Sequence, residues 1–209
     1  MIWAVKNDKR VKATPNQKAI CPLCNNEVIP KCGEIKIWHW AHKSGIECDS
    51  FKEPETEWHI NWKERFPKEQ QEVTIKKDKG YHRADIKTRT GLVIELQNSP
   101  ISIKEIRERE NFYGRMIWLL NEKTFGQNII FKSKKILLWK WIPSIIYSSS
   151  KPLFIDFKEF IIKINDYWLF RKRTYCSYNK YSKKEFLHLY GDIYDFFSDK
   201  TKLKQRNLT

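Results

Sequence analysis

Glycine and proline are scarce, seven and eight in 209 residues, which excludes collagen-like and linker-like chains. With 41% hydrophobic and 14% aromatic residues, the chain has ample apolar surface to bury, and disorder is excluded as well. No apolar run approaches the roughly 18 residues that a membrane span needs. The opening Met1-Ile2-Trp3-Ala4-Val5 reaches Lys6, Asp8, Lys9 and Arg10 too early for a signal peptide, so a cytoplasmic chain with no membrane partner is expected. Cysteines are few and odd in number, five, and two of them form Cys21-x2-Cys24, which in a reducing compartment points to metal before disulfide. Acid is in deficit: 25 Asp and Glu face 40 Lys and Arg, and the formal charge of +15 makes nucleic acid the leading partner. Charge sets the class of partner and says nothing about chemistry.

The periodicity predicts a short strand at Ile2 to Val5 and another through Ile35 and Ile37 into His39-Trp40-Ala41-His42. A helix is expected in the stretch PETEWHINWKERF, where Trp58, Trp62 and Phe66 recur at helical spacing, Pro54, Glu55 and Glu57 suit its start, and Pro67 ends it. Three strands follow, Glu72 to Lys76, Tyr81 to Thr88 and Gly91 to Gln97, with Lys79-Gly80 and Thr90-Gly91 as turns of two tight hairpins. Ser102 to Arg115 reads as a helix, and Met116-Ile117-Trp118-Leu119-Leu120 as a strand buried on both faces. Beyond about Asn121 the β-branched and aromatic stretches broken by Pro143 and Pro152 suit α+β structure, YSKKEFLHLYGDIYDFF suits helix or strand, and Lys200 to Arg206 is a basic tail, solvated or on nucleic acid.

Two constellations carry chemistry. The first is Cys21-x2-Cys24-x14-His39-x2-His42, four thiolate and imidazole ligands of the kind that close a structural zinc tetrahedron. The His-x2-His spacing is shorter than usual, which leaves Cys32 or Cys48 open as the substitute for one histidine. The second is Asp85 on one strand and Glu95, with Gln97 on the same strand face, on the next. Paired around Thr90-Gly91, Asp85 and Glu95 can converge on one divalent cation; the bland alternative is a cross-strand surface pairing with Arg83 or Lys87.

The order of these motifs resembles the PD-(D/E)XK nuclease core, and more closely the competence protein CoiA family. The residues that carry the resemblance are Cys21-Pro22-Leu23-Cys24, His39-Trp40-Ala41-His42, Glu55-Thr56-Glu57-Trp58-His59 with Lys63, Arg83-Ala84-Asp85-Ile86, Ile94-Glu95-Leu96-Gln97-Asn98-Ser99, and Arg109 through Tyr113 to Ile117-Trp118. The resemblance implies an α/β fold: a restriction-endonuclease-like mixed sheet with flanking helices in the order αβββαβ over 53–122, behind a zinc-binding β element at 1–52 and ahead of an α+β extension at 123–209. It further implies a DNA nuclease of the competence and recombination type, dependent on magnesium or manganese, with structural zinc. Its partners would be single-stranded or branched DNA and recombination proteins. Asp85 and Glu95 would hold the catalytic metal, Gln97 would position water where the superfamily usually has lysine, and Glu55, rivalled by Glu57, would be the helix carboxylate with His59 as accessory acid or base. Lys63, Arg83, Lys87 and Arg109 would contact DNA. The alternative function is a zinc-stabilised single-stranded DNA-binding accessory factor with little catalytic rate.

Overall fold

The computed structural model describes residues 1–191 apart from 35, 36, 46, 47, 52 and 79. Ile35, Lys79 and the basic tail Lys200 to Arg206, each given a role above, lie outside the described residues.

The chain opens with a small sheet of β1 (Trp3–Lys6), β2 (Lys9–Lys12), β3 (Ala19–Ile20), β4 (Glu27–Lys31) and β5 (His39–His42) in the order β2-β1-β3-β4-β5. Trp40 is its fully buried centre, packed with Ala4, Leu23 and Val28, and its indole donates to the Val11 carbonyl at 3.1 Å. A buried tryptophan that finds an acceptor gains its large apolar area without a lost hydrogen bond.

The second unit begins with α1 (Glu57–Lys63), β6 (Gln71–Lys77), β7 (Gly80–Lys87), β8 (Val93–Gln97), α2 (Ile103–Tyr113) and β9 (Met116–Asn121). This is the helix, three strands, helix, strand order that the sequence pattern predicts. Helix α1 is shorter than expected at both ends. Thr56 caps it, leaving Pro54 and Glu55 outside, and it closes at Lys63 before Phe66. Then come α3 (Glu122–Phe125), β10 (Ile129–Phe131), β11 (Ile136–Trp139), α4 (Ser144–Ser148), β12 (Leu153–Asp156), β13 (Ile161–Phe170), β14 (Arg173–Tyr181) and α5 (Lys183–Tyr190). All strands from β6 onward form one nine-stranded sheet, β10-β11-β14-β13-β12-β9-β8-β7-β6. The residues after 122 therefore extend the same sheet: β12 lies parallel to β9, with Leu153 opposite Trp118 and Ile155 opposite Leu120.

Strand β9 shows why the sheet is buried on both sides. Met116, Trp118 and Leu120 enter one core with Ile106 and Tyr113 of α2 and Ile145 of α4, while Ile117 and Leu119 enter a second core with Trp62 of α1 and Phe186 of α5. A continuous apolar run needs cover on both faces, and the helices supply it. Asp156 ties two of them to the sheet, taking the indole N–H groups of Trp58 and Trp62 at 2.8 and 2.7 Å and pairing with Lys183 at 3.0 Å.

The two sheets meet where β1 approaches β6. The amides of Ile2 and Trp3 donate to the Glu72 carboxylate at 2.9 and 3.0 Å, and the Trp3 indole donates to Gln71 Oε1 at 2.9 Å. Among the described residues, no helix is long and apolar enough to cross a membrane.

Candidate functional site

The zinc constellation assembles with one exchange. Cys21, Cys24, His42 and Cys48 bring their ligand atoms within 4.8 Å of one another, with Cys21 Sγ 3.7 Å from Cys48 Sγ and Cys24 Sγ 3.3 Å from His42 Nε2. Zinc–sulfur bonds of about 2.3 Å in a tetrahedron place sulfurs roughly 3.8 Å apart, so this set can bind zinc as a closed, structural site. His39 is not part of it. It lies three positions before His42 in β5, an odd separation that sends the two side chains to opposite faces, and its Nδ1 lies 2.7 Å from the Ile37 carbonyl. Cys48, the alternative that the short spacing left open, takes its place.

The second constellation is built by the β7–β8 hairpin. Gly91 adopts φ +82°, a left-handed conformation that glycine accepts without strain, and the turn sets Ile86 opposite Ile94 and Lys87 opposite Val93. One step along the ladder, Asp85 and Glu95 meet: the Asp85 amide donates to Glu95 Oε1 at 3.2 Å, and the Leu96 amide donates to Asp85 Oδ2 at 3.0 Å. The predicted convergence is present.

Lys63, at the end of α1, points into the same place. Its ammonium lies 2.9 Å from Asp85 Oδ1, 2.9 and 3.1 Å from the two oxygens of Glu55, and 3.2 Å from Glu72 Oε1, with 3% of its side chain exposed. Burial opposes its charge, but Asp85, Glu55 and Glu72 outweigh that and hold its pKa well above the ordinary lysine value. Burial likewise opposes ionisation of Asp85, and Lys63, His59 and the Leu96 amide reverse the effect, so its pKa is lowered. Glu95 goes the other way. Burial and the Asp85 charge push its carboxyl up to about 8 against the pull of Arg109.

These groups line a small polar cavity of about 30 Å³ with His59, Glu53, Asp49 and Arg83, room for a water or a single ion. His59 replaces the usual acid of a capping box, accepting from the Thr56 amide through Nδ1 at 3.3 Å. Its Nε2 faces two acceptors, Glu53 Oε2 at 3.3 Å and the Leu96 carbonyl at 3.2 Å, so that nitrogen carries hydrogen. Burial lowers the His59 pKa, and the Glu53 hydrogen bond and the Asp85 charge raise it by more.

Backbone strain marks the same spot. Glu72 sits at φ +45°, where a non-glycine residue costs about 1–3 kcal/mol, and it is held there by the Ile2 and Trp3 amides and by Lys63. Beside it, Ala84 packs in one core and Ile86 in the other although they are two residues apart, so β7 changes face at Asp85.

The remaining candidates divide clearly. Glu55 precedes α1 and still reaches Lys63, whereas its rival Glu57 is exposed. Lys63 and Arg109, expected on DNA, are buried: Arg109 lies 3.4 Å from Glu95 Oε2 and 3.5 Å from Gln97 Oε1, with its guanidinium over the rings of Phe51 and Trp118. A buried cation must be matched by fixed acceptors, and both sites supply them. Arg83 lines the cavity with Glu72 and Asp49 beside it, and Lys87 is partly exposed near the hairpin turn. Gln97 is 2% exposed and its amide is already occupied, its Nε2 donating to the Ser99 carbonyl at 2.8 Å and its Oε1 facing Arg109. Sequence reasoning missed Glu72, Glu53 and Asp49, which no spacing distinguishes from solvated acids.

Residues 4–51 match the family described as competence protein CoiA, N-terminal domain. Over that segment the chain is similar to CoiA. The matched segment contains all four residues of the cysteine–histidine cluster. It ends before Glu53, so most of the acidic cavity lies outside it. No curated protein and no solved structure matches the chain.

Proposed function

We propose that this CoiA-like chain hydrolyses phosphodiester bonds in DNA, with a PD-(D/E)XK-type core and a divalent cation. The observation that carries the proposal is the meeting of Asp85 and Glu95 from adjacent strands in one cavity with Lys63 beside them. Asp85 and Glu95 are the residues that would hold magnesium or manganese, and the ion would supply charge neutralisation at the phosphate. The donor set fits a hard cation: Glu95 stays protonated up to about pH 8 because its charge has too little compensation in a buried site, a penalty that a divalent ion removes.

The chain's own residues supply the rest. Gln97 occupies the position where the superfamily usually has lysine, and Lys63 brings a cation into the cavity from α1, its ammonium fixed against Asp85. We assign to it the placement of positive charge next to the attacking water and the phosphate. Arg109 holds the carboxylate of Glu95 and the amide of Gln97 together, which makes it a positioning residue. His59 holds a proton on Nε2 against Glu53 and fixes the start of α1, and with it Lys63.

A second reading has a specific observation behind it: Lys63 already pairs with Glu55, Glu72 and Asp85, which suits a core that binds DNA without turning it over. Divalent-cation-dependent cleavage that disappears in Glu95→Ala decides between them.

A further inference from the structure

Strand β13 runs on past the end of β12. Only Ile161 to Ile164 pair with β12, the register shifts between Ile164 and Asp166, and every residue from Asn165 to Phe170 is exposed. β14 continues beside it with Thr174 to Ser177 still paired to β11, so this half of β13 is the open edge of a hairpin arm that ends in a two-residue turn, Arg171-Lys172.

The arm carries a face of rings. Register sets Trp168 opposite Tyr175 and Phe170 opposite Arg173, so these four share one side. Trp168 and Tyr175 stack at 6.0 Å with 18° between their planes, and the Arg171 guanidinium lies 5.2 Å over the Phe170 ring. Trp168 is 39% and Phe170 54% exposed, a cost that folding alone gives no reason to bear.

The turn is equally telling. Arg171 and Lys172 both take left-handed backbone, at φ 47° and 61°, positions where Asn-Gly would be cheaper. Cations therefore occupy the tip at a conformational cost. Between 161 and 181 the chain has Lys163, Arg171, Lys172, Arg173 and Lys180 against Asp166 as its one acid.

From this we infer that the β13–β14 arm is a stacking platform for single-stranded DNA, with Trp168, Phe170 and Tyr175 taking the bases and Arg171 and Arg173 the phosphates. Rings with cations interleaved are the means by which proteins hold single strands without reading sequence. The clustered cations repel a second copy of the arm, which disfavours self-association through the open edge of β13. The inference deepens the proposed function by naming where the strand is held, and it rests on that reading only for the choice of DNA as substrate.

The test is fluorescence anisotropy of a labelled 30-mer of thymidylate, with no magnesium or manganese added, on the full-length zinc-loaded chain. Trp168→Ala/Phe170→Ala is expected to weaken binding about fivefold or more with an unchanged salt slope. Arg171→Ala/Arg173→Ala is expected to weaken binding and flatten the log–log salt slope by about 0.7 for each cation lost. All four residues are exposed, so unchanged circular dichroism and melting are expected for both variants. Unchanged oligonucleotide affinity in both variants overturns the inference. So does either variant instead converting a dimer to monomer in sedimentation, or losing phosphatidylserine vesicle binding while keeping the oligonucleotide. Because no magnesium or manganese is present, the result is independent of cleavage: loss of binding in the variants of a chain that never cleaves upholds the arm and refutes the nuclease.

Discussion

The Lys63 ammonium and the Asp85 carboxylate lie 2.9 Å apart, one at the end of α1 and the other where β7 changes face. Two elements separated by a hairpin and a strained residue are thereby fixed to each other, and Glu55 and Glu72 complete the shell around the ammonium. The site is preorganised by charge.

Lys63→Met keeps the length of the side chain and removes its charge, leaving three carboxylates in a cavity with little water. Breaking a buried pair from one side costs about 3–5 kcal/mol, and urea unfolding of Lys63→Met is expected to show a loss of that order. Lys63→Met/Glu72→Gln should recover part of it, since one stranded charge goes with the lysine.

The raised pKa of Glu95 has a definite consequence for stability. A carboxyl whose folded pKa, about 8, exceeds its unfolded value contributes stability that is full below the unfolded pKa and is lost as pH rises through the folded one. Without added magnesium or manganese the difference in melting temperature between Glu95→Gln and the wild type should therefore move in favour of the variant from pH 5 to pH 9. Magnesium or manganese should restore the wild type at the alkaline end and leave Glu95→Gln little changed.

The cysteine–histidine cluster makes a sharp prediction about its fourth member. Elemental analysis should find close to one zinc per chain in the wild type and in His39→Ala, and a large loss in Cys48→Ser. The zinc-free variant should also be less soluble and less stable, since metal affinity in such sites is folding energy.

Much of this was legible from the sequence wherever periodicity had only one interpretation. Met116 to Leu120 is apolar at every position, which only a strand covered on both faces tolerates, and Thr90-Gly91 between two alternating runs fixed the hairpin that brings Asp85 to Glu95. The zinc ligands were legible to within one residue. Cys48 lies six residues beyond His42 with no motif spacing to tie it to Cys21, so its approach to Cys21 is not written in any repeat. Glu72 was not legible at all: its role comes from a left-handed backbone and from amides 70 and 69 residues earlier. Lys63, Arg83 and Arg109 are expected on DNA because charge usually faces water, whereas the carboxylates of Glu72, Asp85, Glu95 and Asp49 hold them in the interior. The sheet beyond Asn121 was obscure because its pairing partners lie far apart in the chain, β11 with β14 and β9 with β12.

The most direct test of the account is cleavage of single-stranded, duplex and branched DNA by the purified chain in magnesium or manganese, alongside Asp85→Ala, Glu95→Ala and Gln97→Ala prepared identically. The account predicts cation-dependent cleavage by the wild type and its abolition in Asp85→Ala and Glu95→Ala. Gln97→Ala should keep most activity, because the Gln97 amide is occupied by Ser99 and Arg109. No cleavage by the wild type with either cation, or equal cleavage by the wild type and Glu95→Ala, would contradict it.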